Sequence, residues 1–167
     1  MEAVTRTRFE GLVAELIEPL RRFLARRTDP ATAEDVLAET LLVCWRRLSE
    51  IPAEPLPWAY GVARNCLANA ERSRRRQDRL VARLVTLDPP GPPAGDASVD
   101  LTTALARLRP QDAELLRLWA WEELAAAEIG QVLGISANAA TIRLHRARER
   151  LRAELERSGT GNERRKR

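Results

Sequence analysis

Apolar residues recur along most of the chain at the three- and four-residue spacing of a helix, and no segment alternates like a strand. Phe9, Leu12, Val13, Leu16, Ile17, Leu20, Phe23 and Leu24 mark a first helix, which Pro19 is expected to kink or divide. A second should open at Thr32, with Asp35 three residues on as its capping partner, and bury Leu37, Leu41, Cys44 and Leu48. After the loop SEIPAEPLP, Pro57 is well placed to begin a third helix. Its apolar side is Ala59, Val62, Ala63, Cys66, Leu67 and Ala70.

The pattern breaks at residues 86–100, TLDPPGPPAGDASVD, which hold four of the ten prolines, two glycines, three aspartates and no base. Such a stretch neither continues a helix nor buries a core, so it reads as a solvated linker. The expected architecture is therefore all-α. Two small helical domains, 1–85 and 101–157, are joined by the Pro/Gly/Asp-rich linker 86–100, and residues 158–167 form a basic, disordered tail.

The second block carries the sharpest local signal, AAAEIGQVLGISANAATIRLHRARERLR. Ile129 and Leu133 share a face with small Gly130 between them, Gly134 makes a turn, Ile135 plugs the core, and Ser136 caps the next helix. Ala140, Leu144, Ala147 and Leu151 hold that helix down, which is the pattern of a helix-turn-helix. Its other face shows Thr141, Ile142, His145, Arg146 and Arg148, placed to enter a major groove. Arg146 suits a guanine and Ile142 a thymine methyl, while Ser136, Asn138 and Arg143 suit phosphates. Trp119 and Trp121 should pack a supporting helix, Gln111 to Trp121, and Trp45 and Trp58 should lie in the core.

Charge sharpens this picture. The 167 residues carry 28 Lys and Arg against 24 Asp and Glu, a net +4 with a pI near 10.0, and every base except Lys166 is arginine. In the third helix Asn65, Asn69, Arg72 and Arg76 form a separate polar stripe running into ERSRRRQDR, a local +3. Amides read base edges while guanidinium groups hold phosphates, so the stripe is a candidate nucleic-acid face. Tyr60, one step off the apolar side, is a candidate platform for an unpaired base. Residues 31–54 have the opposite sign, −3, with Asp35 and Glu39 one turn apart.

Other chemistry is poorly served. His145 is the only histidine, Cys44 and Cys66 fall in apolar patterns, and no phosphate loop or nucleophile elbow occurs. No apolar run approaches the ~20 residues that span a bilayer, and the N-terminal residues do not resemble a signal segment. The expectation is a cytoplasmic, non-catalytic protein without cofactor, metal or small-molecule substrate.

Three segments together resemble the extracytoplasmic-function (ECF) class of bacterial sigma factors: TAEDVLAETLLVCWRRL at 32–48, PWAYGVARNCLANAERSRRR at 57–76, and LARLRPQDAELLRLWAWEELAAAEIGQVLGIS…RLHRARERL at 105–151. Their order, with only a linker between the blocks, is characteristic of that class. The resemblance implies that Asp35 and Glu39 touch the clamp helices of core RNA polymerase. It places Asn65 and Asn69 on the downstream (−10) promoter element, with Tyr60, Arg72 and Arg76 beside them. The loop Ser49 to Pro57 matches one that holds a flipped-out base. Thr141, Ile142, His145 and Arg146 match positions facing the upstream (−35) element. It also implies an anti-sigma partner that holds the protein inactive, and a linker that runs near the RNA path.

The chain departs from the family pattern at Ala38, Gly61, Ala137 to Ala140, Thr141 and Ile142, so promoter sequences do not transfer from relatives. The alternative is a stand-alone helix-turn-helix regulator that needs no polymerase.

Overall fold

The computed structural model describes residues 2–82 and 99–165, with side chains over 4–79 and 101–157. Every regular element among them is helical. In order these are α1 (Glu2–Ala25), α2 (Pro30–Arg46), a 3-10 turn (Leu48–Glu50), α3 (Pro55–Ala82), α4 (Val99–Arg107), α5 (Pro110–Ala120), α6 (Ala126–Leu133) and α7 (Ala137–Arg165). The chain separates into two compact units, Met1–Asp88 and Pro89–Arg167.

In the first unit α1, α2 and α3 pack against one another around Leu16, Leu20, Phe23, Leu24, Val36, Leu37, Cys44, Ala59, Ala63 and Cys66. Pro19 does not divide α1, which is continuous through it. Leu16, Leu20, Phe23 and Leu24, on both sides of the proline, are fully buried. Their burial outweighs the ~3 kcal/mol that an interior proline costs a helix.

Helix α2 begins earlier than Thr32. Asp29 is its cap: the Asp29 carboxylate accepts the Thr32 N–H at 3.0 Å and the Thr32 hydroxyl at 2.8 Å, and Pro30 fills the first position. Proline there has no N–H to leave unsatisfied. Arg74 of α3 reaches the same carboxylate at 3.4 Å, so the cap also ties two helices together. Helix α3 likewise starts at Pro55 rather than Pro57.

In the second unit α7 is the hub, touching α4, α5 and α6. Leu116, Leu118, Ile129, Val132, Ala140, Leu144 and Ala147 fill the interior. Arg150 of α7 donates to buried Asp112 at 2.6 Å, clamping α5. Helix α4 starts at Val99, inside the expected linker; the part of the linker up to residue 98 lies outside the described residues. The expected disordered tail is also revised, because α7 continues to Arg165.

The tryptophans depart most from expectation. Trp45 is 43 % exposed, edge-on to Phe9 at 5.0 Å, and Trp58 is half-buried with the Arg47 guanidinium above it at 5.5 Å. Trp119 and Trp121 lie at the end of α5 with their surfaces 41 % and 37 % exposed, each facing an arginine. A small helical unit has too little interior for every large ring, and a cation over the face shields part of what remains outside.

Candidate nucleic-acid interface

The turn between α6 and α7 is built by three small residues. Gly134 adopts the left-handed conformation, φ 67°, that glycine accepts without a steric penalty. Gly130 accepts the Ile135 N–H at 2.9 Å on its carbonyl, and a Cβ on Gly130 would stand 2.7 Å from the Ile135 oxygen. The Ser136 Oγ accepts the Ala139 N–H at 3.1 Å, capping α7, while its own proton stays available to an outside acceptor. Glu128 closes the start of α6 by accepting the Ala125 N–H at 2.7 Å.

This turn aims one face of α7 outward. Asn138, Thr141, Ile142, Arg143, His145, Arg146 and Arg148 are all exposed, while Ala140, Leu144 and Ala147 are buried beneath them. The Thr141 hydroxyl donates to the Ala137 carbonyl at 2.9 Å, so toward solvent it offers lone pairs and a methyl group. His145 Nδ1 lies 3.5 Å from Glu149, one turn on. Among the described residues, Arg143, Arg146 and Arg148 have no carboxylate partner, whereas Arg150 and Arg157 on the same helix are paired. Three unpaired cations of α7 therefore share the helix-turn-helix face, and Arg152 beyond it is unpaired among the described residues as well.

In the first unit, Asn65, Asn69, Arg72 and Arg76 are exposed along α3, as the stripe requires. Asn69, Arg72, Ser73, Arg75, Arg76 and Arg79 line an open cleft of about 550 Å³. Arg72 donates to the Asn69 side-chain oxygen at 2.6 Å and to the Ala68 carbonyl at 3.3 Å. The two Asn69 amide N–H donors make no hydrogen bond among the described residues.

Tyr60 does not belong to this face. It is 4 % exposed and stacks on Phe23 of α1 with ring centroids 4.9 Å apart, so no base can reach its ring. The residue sits just beside the apolar stripe, and Phe23 widens the buried face far enough to enclose it.

Helix α2 turns a different surface to solvent. Asp35 and Glu39 are exposed and make no ion pair among the described residues, while neighbouring Glu34 is tied to Arg21 of α1 at 3.1 Å. Leu42 and Trp45 continue the same face, at 46 % and 43 % exposed. Sequence reasoning took Trp45 for core, although it falls one residue beside buried Cys44, and Leu41, expected in the core, is only half-buried. Below α2 the loop after the 3-10 turn is anchored by buried Leu48 and Ile51. With Arg8, Leu12 and Glu15 of α1 it walls a cleft of about 240 Å³. Burial pushes the Cys44 thiol up to about 11 and the Cys66 thiol upward as well, so neither is a thiolate at neutral pH.

Residues 98–151 match the family described as Sigma-70, region 4. Over 156 residues the chain is 35% identical to the RNA polymerase sigma factor CarQ of Myxococcus xanthus, covering 88% of each chain. Over 149 residues it is 31% identical to the ECF RNA polymerase sigma factor SigL of Mycobacterium tuberculosis, covering 84% of each. The chain belongs to the ECF sigma factors.

Among solved structures, this sigma factor resembles CnrH, determined in complex with the cytosolic domain of CnrY, with a TM-score of 0.60 and 25% identity over 89% of this chain and 87% of that one. It shares its fold with the sigma factor RpoE, determined with the anti-sigma factor NepR from Bartonella quintana, at a TM-score of 0.64 and 22% identity over 89% and 96%. No described helix of this sigma factor is long and apolar enough to cross a membrane.

Proposed function

We propose that this sigma factor docks on core RNA polymerase through the outer face of α2 and directs it to promoters through α3 and α7. The observation that carries the reading is the contrast on α2, where Asp35 and Glu39 stand exposed and unpaired beside a Glu34 already held by Arg21. Two free carboxylates followed by Leu42 and Trp45 suit a basic protein surface with an apolar edge. Duplex DNA would repel them.

On the promoter, Thr141, Ile142, His145 and Arg146 face the bases of the upstream element, Arg148 lies at the far end of the same face, and Ser136, Asn138 and Arg143 sit on phosphates. Downstream, Asn65 and Asn69 read bases of the non-template strand while Arg72 and Arg76 hold its backbone. The loop Ser49 to Pro57 receives an unpaired base. Flipping a base out costs a few kcal/mol, which contacts of ~1–3 kcal/mol per base offset. The polymerase performs the chemistry, and the sigma factor itself has no catalytic role.

CnrH is seen in complex with the cytosolic domain of CnrY, and RpoE with the anti-sigma factor NepR; we assign this chain an anti-sigma partner too, one that covers the polymerase- or DNA-binding faces. The site of action is the cytoplasm, on the nucleoid when bound to polymerase, with retention at a membrane if that partner is membrane-bound.

The test is promoter opening by holoenzyme carrying Asn65→Ala with Asn69→Ala. Polymerase binding is expected to persist while permanganate reactivity of unpaired thymines falls. Normal melting would remove both amides from the interface. Arg146→Ala is expected to cost ~1–3 kcal/mol in promoter binding and to relax selectivity at one base pair.

A further inference from the structure

The Arg148 guanidinium lies over the Trp119 ring at 4.6 Å, with Trp119 at the end of α5 and Arg148 on α7. Both side chains are exposed, and among the described residues Arg148 has no carboxylate partner. Trp119 is therefore not burying itself, and Arg148 is not neutralised within the protein.

An indole beneath a guanidinium restricts the long arginine chain while leaving all five N–H donors at its rim. Arg148 also continues the line of Thr141 and His145, one turn beyond His145 on the same side of α7. A recognition helix reaches base edges with its N-terminal residues, so a guanidinium held a turn beyond His145 is placed for the sugar–phosphate edge. We infer that Trp119 is a positioning residue that holds Arg148 for a phosphate beside the upstream promoter element. The inference rests on the reading of α7 as the DNA face and adds to it a residue from α5.

A phosphate contact is independent of sequence, so a labelled mixed-sequence duplex three helical turns long is a sufficient probe for the full chain at low salt. Arg148→Ala is expected to weaken binding and to reduce the slope of log K against log salt by about 0.9. Trp119→Leu should weaken binding about two- to fivefold, Trp119→Phe should restore most of it, and Trp119→Leu should add nothing once Arg148 is alanine.

Equal loss from Trp119→Leu in both backgrounds would make the tryptophan merely structural and overturn the inference. So would unchanged binding by Trp119→Leu beside a weakened Arg148→Ala. Arg146→Ala in the same assay separates the two levels of the argument. If neither arginine matters, or the chain binds no duplex, the DNA-face reading fails. If only Arg148 is silent, the inference about Trp119 fails alone.

Discussion

Arg150 and Asp112 form an unequal pair, with the Nη1–Oδ2 distance 2.6 Å, the aspartate 7 % exposed and the arginine side chain about half in water. The consequence of breaking the pair depends on which partner is removed. Arg150→Ala strands a buried carboxylate, whereas Asp112→Asn leaves the arginine free to hydrate. Urea unfolding of the full chain, followed by tryptophan fluorescence, is expected to show a loss of ~2–3 kcal/mol for Arg150→Ala and ~1 kcal/mol for Asp112→Asn. Equal losses, or the reverse order, would contradict the assigned burial.

Gly130 tests the turn. Alanine gains up to ~1 kcal/mol of helix propensity, but its Cβ would lie 2.7 Å from the Ile135 carbonyl oxygen, a backbone atom that cannot swing aside. Gly130→Ala is expected to destabilise the second unit by ~1–3 kcal/mol and to weaken duplex binding, because α7 is displaced as a body. A variant as stable as the parent would mean that the two helices do not need this close approach.

The helix-turn-helix was legible in the sequence because its determinants are local. Gly130, Gly134 and Ser136 act within a few residues of one another, and the apolar positions of α7 follow one period. The cationic face is the complement of that period. Errors arose where distant residues decide the outcome. Phe23 of α1 encloses Tyr60 of α3, and packing against α2 and α3 carries α1 through Pro19. A nearer miss is the start of α2, where Asp29 takes the N-cap role assigned to Thr32 three residues on. The exposed tryptophans were missed because size suggests core, while the arginines over Trp58, Trp119 and Trp121 come from elsewhere in the chain or from the outer surface of the same helix.

Asp29 makes the first unit sensitive to acid. The Thr32 backbone N–H, then the Thr32 hydroxyl, hold its carboxyl below the ordinary value of 3.8. A carboxyl lowered by folding contributes stability that is complete above its unfolded value and is lost as pH falls through its folded one. Asp29→Asn can still accept the capping hydrogen bond but does not titrate. Its melting temperature is expected to fall less steeply than the parent's below pH 4, measured by circular dichroism. Parallel acid limbs would show that the Asp29 cap does not contribute.

The central claim, that this ECF sigma factor engages polymerase through the carboxylates of α2, is tested most directly by size-exclusion chromatography with bacterial core RNA polymerase. The parent chain is expected to co-elute with the enzyme, and Asp35→Arg with Glu39→Arg to elute alone while retaining the parent's circular dichroism and thermal midpoint. Co-elution of both proteins would remove α2's acidic face from the interface. A folded parent that never joins the polymerase, yet binds duplex tightly by itself, would contradict the account and favour a stand-alone regulator.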